Sequence, residues 1–172
     1  SASAGLRGAL GPLAFSLQGG GTRSAGFNAI VNPDNFSYDG DRDGYASENI
    51  GLNATLPWAA GQEAAVQYFR NRLNNRYDGG PGSDDRTVTT LEAWSVASRN
   101  RVAAWWKSTA TVGEGSDDSV SQTAYGDYPY QTTQRQYTWQ NDFTLPAGTL
   151  SLIAERREER LATTDAFAVT RR

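Results

Sequence analysis

The chain has 172 residues, a formal net charge of −3, 38% hydrophobic residues and a mean hydropathy of −0.61, which is polar for a protein that packs a core. The charge gives no basic footprint for nucleic acid. The absence of Cys and His removes disulfides, thiolate metal sites, Ser-His-Asp triads and the commonest general base, so no catalytic set can be assembled and an enzyme is the weakest class. No stretch is apolar enough for a transmembrane helix, but barrel strands are short and half polar and escape that test.

The elements follow in chain order. Residues 1–10 read as a strand and Gly11-Pro12 as a tight turn. Leu13–Gly26 is a second strand, with Leu13, Phe15 and Leu17 alternating against Ala14, Ser16 and Gln18. Inside it, Gly19-Gly20-Gly21 marks a bulge or a close backbone approach. Phe27–Asp43 is a long polar loop. Tyr45–Leu56 is a clean third strand, with Ile50, Leu52, Ala54 and Leu56 on one face. Residues 57–61, carrying Trp58, form a short turn. Gln62–Arg76 is the fourth strand and Tyr77–Arg86 a second loop rich in Gly and Asp.

Thr87–Ala97 is expected as strand five, turned at Ser98–Arg101, and Val102–Val112 as strand six, carrying Trp105-Trp106. Gly113–Tyr130 reads as a third long polar loop, in which Asp117-Asp118 are solvated acids. Residues 131–161 form the clearest hairpin. Tyr137, Trp139, Phe143 and Leu145 face one way and Gln136, Thr138, Gln140, Asp142 and Thr144 the other; the turn is at Pro146-Ala147. The run Glu155–Arg160 places mixed charges on both faces of strand eight, suited to ion pairs. Residues 163–172 begin another loop or continue outward.

Short turns thus alternate with long polar loops. In an up-and-down antiparallel sheet every second connection lies at the same end, so one end carries tight turns and the other long loops. That is the outer-membrane barrel pattern. The fold class expected is therefore all-β, with about eight antiparallel transmembrane barrel strands in one domain over residues 1–172. A soluble β-sandwich binding domain, with the same aromatics as a core, is the alternative, and eight strands could also close as a small self-contained barrel.

The first loop ends in Asp39-Gly-Asp-Arg-Asp-Gly44, and alternating Asp closed by Gly is one way for a short loop to aim oxygens at a hard cation. The distal Glu of an EF-hand is missing. The second loop adds Asp78 and Asp84-Asp85. Together the two loops could offer carboxylates to Ca²⁺; solvated turn-forming Asp residues are the plainer reading.

Three segments resemble a known family: Asp41-Arg-Asp-Gly-Tyr45, Phe69-Arg-Asn-Arg-Leu-Asn-Asn-Arg-Tyr-Asp78 with Asp85-Arg86 closing its loop, and Arg135-Gln-Tyr-Thr-Trp-Gln-Asn-Asp142. From Phe27 to about Thr144 the chain resembles the first half of the barrel of TonB-dependent outer-membrane receptors, in particular the vitamin B12 (cobalamin) transporter branch. The resemblance implies a 22-stranded parent barrel, outer-membrane lipid as surroundings, and energised uptake of a scarce small molecule, a corrinoid. It implies calcium bound by acids of two adjacent loops. Carried over by position these are Asp41, Asp43, Asp78 and Asp85, with Asp84 a neighbour. No residue is singled out for the ligand. Neither plug domain nor TonB box lies in these residues. The expectation is therefore a barrel segment that meets TonB only through the plug of a longer parent.

Overall fold

The computed structural model describes residues 1–163 and 169–171. The strands are β1 (Ala2–Leu10), β2 (Leu13–Phe27), β3 (Asp43–Ala59), β4 (Gln62–Arg76), β5 (Arg86–Ala103), β6 (Trp106–Thr123), β7 (Gly126–Leu145), β8 (Gly148–Thr163) and the short β9 (Val169–Arg171). They form one antiparallel sheet in the order β1 to β9, each strand beside its chain neighbours. The chain is all-β and up-and-down, as the alternation predicts. The sheet is open: among the described residues nothing pairs β1 with β8 or β9.

Two-residue turns close four hairpins at one end, at Gly11-Pro12, Ala60-Gly61, Ala104-Trp105 and Pro146-Ala147. Gly61 has φ 73°, which a residue without Cβ adopts freely, and its carbonyl accepts the Arg101 N–H at 2.7 Å. At the other end, residues 28–42 and 77–85 are loops.

Three expectations are corrected here. The third long loop does not exist. Residues 113–130 are the upper halves of β6 and β7, paired without interruption from Trp106↔Phe143 to Thr123↔Gly126 around a two-residue turn at Ala124-Tyr125. Long and short connections therefore do not alternate throughout. Asp117 and Asp118 are strand residues opposite Thr132 and Gln131. A stretch with polar residues on both faces still makes a ladder when a partner strand satisfies its backbone; only the periodicity signal is lost. Second, the turn expected at Ser98–Arg101 lies at Ala104-Trp105, so Trp106 opens β6 and Trp105 sits in the turn. Third, Trp58 belongs to β3, within an irregularity between Pro57 and Ala59. The glycine run makes no bulge, because β2 pairs in continuous register from Ala14 to Ser24. It is a close approach: a Cβ on Gly20 would lie 3.1 Å from the Ala2 carbonyl oxygen.

Register separates the two faces. One row of partners runs Arg7, Ser16, Asn53, Gln67, Ser95, Gly113, Gln136 and Arg157. The adjacent row, on the opposite face, runs Gly8, Phe15, Ala54, Val66, Val96, Val112, Tyr137 and Arg156. One face is thus polar and the other apolar until its edge. Neither is covered. Ala65 is the sole buried hydrophobic side chain among the described residues, while Leu10, Trp58, Trp139, Leu152 and Ile153 are more than half exposed. The accessible surface is 11810 Å², against about 8,200 Å² for a compact monomer of this mass. The sheet alone leaves far more surface in water than a compact domain does, so its stability depends on the backbone ladder, on side-chain neighbours within each face and on whatever lies against the apolar face.

The apolar face has a sloping boundary. Moving from the short-turn end, the first charged residues met on it are Arg23, Glu48, Arg70, Glu92, Glu114, Arg135 and Arg156 on β2 to β8. Glu48 is level with Gly21, Arg70 with Ile50, Glu92 with Arg70, Glu114 with Trp94, Arg135 with Glu114 and Arg156 with Tyr137. Each step is zero or two residues and always toward the short turns. The turns step the same way, from Leu10↔Leu13 to Ala59↔Gln62, Ala103↔Trp106 and Leu145↔Gly148. The uncharged band between these edges keeps a nearly constant height while slanting across the register. Near the short turns it carries an aromatic cluster, Trp105, Trp106 and Phe143, with ring centroids 5.8–6.2 Å apart. The indole N–H of Trp106 donates to Asn141 Oδ1 at 2.9 Å, and that of Trp139 to Ser108 Oγ at 3.0 Å.

Candidate metal centre

The two loops at the far end meet. Loop 28–42 is folded by its own amides: Asn28, Asn32 and Asn35 each accept, through Oδ1, the N–H two residues on, at 2.9–3.0 Å. Asn28 Nδ2 donates to the Asp39 carbonyl at 2.7 Å. Asp39 is the clasp between loops, because its Oδ2 accepts the Gly82 N–H at 3.0 Å while its Oδ1 accepts the Gly40 N–H at 2.7 Å.

Behind that clasp, Asp41, Asp43 and Asp78 bring one carboxylate oxygen each within 4.8 Å of one another. Asp41 is exposed and the other two are half-buried. Both Asp78 oxygens are shielded from solvent, and among the described residues no side chain hydrogen-bonds them. Burial, reinforced by the negative charges of Asp43, Asp41 and Asp39, raises the Asp78 carboxyl above its ordinary value. Two oxygens on opposite sides of a Ca²⁺ ion stand roughly 5 Å apart, so a single such ion fits among the three carboxylates. The chemistry of the set also fits: three hard oxygen donors, to which backbone carbonyls and water would have to add the rest of a six- to eight-ligand shell.

The five acids expected at this centre divide. Asp41, Asp43 and Asp78 are brought together. Asp84 is not: it pairs with Arg76 at 3.5 Å, both side chains largely exposed. Asp85 is not either. Only 6% exposed, it accepts the Ala124 N–H at 3.1 Å through Oδ1, tying the β6–β7 turn to the second loop, and its backbone carbonyl accepts the Tyr77 N–H at 3.1 Å. Gly79 makes room for it, since a Cβ there would stand 1.7 Å from Asp85 Oδ2. Adjacent acids on an extended backbone point apart, which separates Asp84 and Asp85 from each other and both from the triad. Asp39 was missed as a clasp because its Asp-Gly signature reads equally as a turn or a ligand.

No protein-family model matches the chain, and no curated protein matches it.

Proposed function

We propose that this chain forms part of the wall of an outer-membrane β-barrel, with the apolar face against lipid and the polar face toward an aqueous interior, and that loops 28–42 and 77–85 bind calcium at the outer surface. The observation that carries this reading is the slanted uncharged band. Its upper edge drifts eight residues over the six steps from β2 to β8. At about 3.4 Å per residue and 4.8 Å between strands, a drift of about 1.3 residues per strand is a strand tilt of about 43°. Outer-membrane strands tilt by roughly 35–45°. A flat bilayer imposes this slope on tilted strands, whereas a sandwich core has no reason to follow it. From Ile50 to Trp58 the band spans roughly 27 Å of strand, or about 20 Å along the membrane normal at that tilt, close to the apolar belt of such barrels.

The open edges of β1 and β8 favour a wall completed by further strands over closure as a small eight-stranded barrel. Within that wall, the calcium centre orders the two loops for capture of a ligand. The resemblance to cobalamin transporters makes that ligand a corrinoid and the function its energised import through a parent that carries a plug.

Two measurements test this. Flotation of the refolded chain with vesicles, followed by protease digestion, is expected to leave the strands protected; a chain that stays monomeric and folded in buffer without lipid or detergent overturns the membrane reading. Cobalamin binding by the parent receptor is expected to weaken when calcium is chelated, and an affinity indifferent to chelation removes the capture role of the loops.

A further inference from the structure

Above the band on β2–β4 lies an open cleft of about 340 Å³ lined by Arg23, Arg42 and Arg76 together with Ser24, Tyr45 and Asn74, and by no acid among the described residues. Its position is specific. Arg23 is the first charged residue above the band on β2, and Ala46 and Asn74 continue its row on the same face. The acid nearest on that face, Glu48, is level with Arg72. Arg76 meets Asp84 at 3.5 Å across exposed side chains, a weak contact in water. Arg76 also stands directly opposite Arg86 in the β4–β5 register, an unfavourable cross-strand pair that a bound anion would relieve. Arg86 is turned to Gln122, donating through Nε at 2.7 Å. Asn74 lines the cleft, and among the described residues its Oδ1 is buried without a hydrogen-bond partner.

From this placement we infer that the cleft holds the headgroup of an anionic phospholipid of the surrounding leaflet, with its acyl chains lying down the band below. Guanidinium forks grip phosphate oxygens in pairs. The site commits to lipid rather than free phosphate because it opens at the upper limit of an uncovered apolar face. There, a ligand with both an anionic head and an apolar tail satisfies both neighbours at once. This inference rests on the membrane reading.

The test is native mass spectrometry of the full chain refolded in vesicles of phosphatidylcholine and phosphatidylglycerol in equal amounts, then extracted in mild detergent. The expected result is retained phosphatidylglycerol in preference to phosphatidylcholine. That preference falls about fivefold for each arginine removed in R23Q and R42Q and survives in large part in R23K and R42K, which keep the charge. Inorganic phosphate is expected not to displace the lipid; displacement would make the cleft a free-anion site and overturn the assignment. Insertion of the chain without any headgroup preference, or a preference unchanged in the R23Q/R42Q double variant, also overturns it while leaving the membrane reading intact. If R23Q/R42Q does not insert, the wild-type preference and the lysine variants decide. Failure of the wild-type chain to insert into any vesicle removes both readings together.

Discussion

Ala54 sits at the middle of the uncharged band on β3, four residues from Ile50 at its upper edge and four from Trp58 at its lower end, between Phe15 on β2 and Val66 on β4. Asn53, its neighbour in the chain, faces the other way, level with Ser16 and Gln67, and its amide donates to Ser16 Oγ at 3.3 Å. Arg at the bilayer midplane on the lipid face costs about 2–4 kcal/mol, whereas an interior-facing position is wet. With a urea slope of about 2–3 kcal/mol per molar, Ala54→Arg should lower the midpoint of unfolding from vesicles by roughly 1 M. Asn53→Arg should move it by no more than a few tenths, the ordinary cost of a surface change. Ile50→Arg, at the band's edge, should cost about 0–1 kcal/mol. The assay is reversible unfolding followed by tryptophan fluorescence. Equal costs for Ala54→Arg and Asn53→Arg, or a cost below about 0.5 kcal/mol for Ala54→Arg, would refute the assignment of faces.

Three further variants test the loops. The folded chain holds the Asp78 proton more tightly than the unfolded chain does, so without metal stability should fall as pH rises from the ordinary carboxylate value through the raised one. Asp78→Asn should abolish that slope in EDTA and also abolish the stabilisation that calcium gives the wild type; thermal midpoints across pH, with and without calcium, check both. Asp85→Ala leaves the Ala124 N–H without its carboxylate acceptor and should cost about 1–3 kcal/mol, read as faster amide exchange at Ala124, whereas Tyr77 keeps its backbone acceptor at residue 85. Asp84→Ala removes only an exposed pair and should stay within about 0.5 kcal/mol.

The sheet was legible in the sequence wherever one face is apolar. Strict alternation at residues 50–56 and 136–145 located β3 and β7, and Gly11-Pro12 and Pro146-Ala147 marked the β1–β2 and β7–β8 turns. Legibility stopped where both faces are polar. Above the band, residues 113–130 carry no period because neither face meets anything apolar, so a long hairpin looks like a loop. Ser98-Arg-Asn-Arg101 misled for a related reason: Ser98 and Asn100 lie on the apolar face but satisfy each other, Asn100 Nδ2 donating to Ser98 Oγ at 3.0 Å, so the strand continues through a polar stretch. In the loops, residue type announced the acids but not their directions. Spacing alone could not tell Asp78, which points at Asp41 and Asp43, from Asp85, which points at Ala124. The slope of the charged boundary could be recovered only with the register, because it is a relation among seven strands and no single strand contains it.

That slope is the central claim, and depth can be measured on it directly. The chain has no Cys, so single spin labels can be placed at Gly21, Trp94 and Ala154, the last uncharged positions below Arg23, Glu92 and Arg156 on the apolar face. Gly21 accepts a side chain, the nearest atom to its Cβ being the Ser47 carbonyl oxygen at 3.4 Å. In the sheet's own register Gly21 is level with Ala162, eight residues along β8 from Ala154. Power saturation with oxygen and a water-soluble nickel relaxant in vesicles should place all three labels at one depth, just inside the interface. Depths that follow the register, with Ala154 roughly 27 Å from Gly21 along the normal, or three labels equally open to the nickel reagent, would contradict the tilted band.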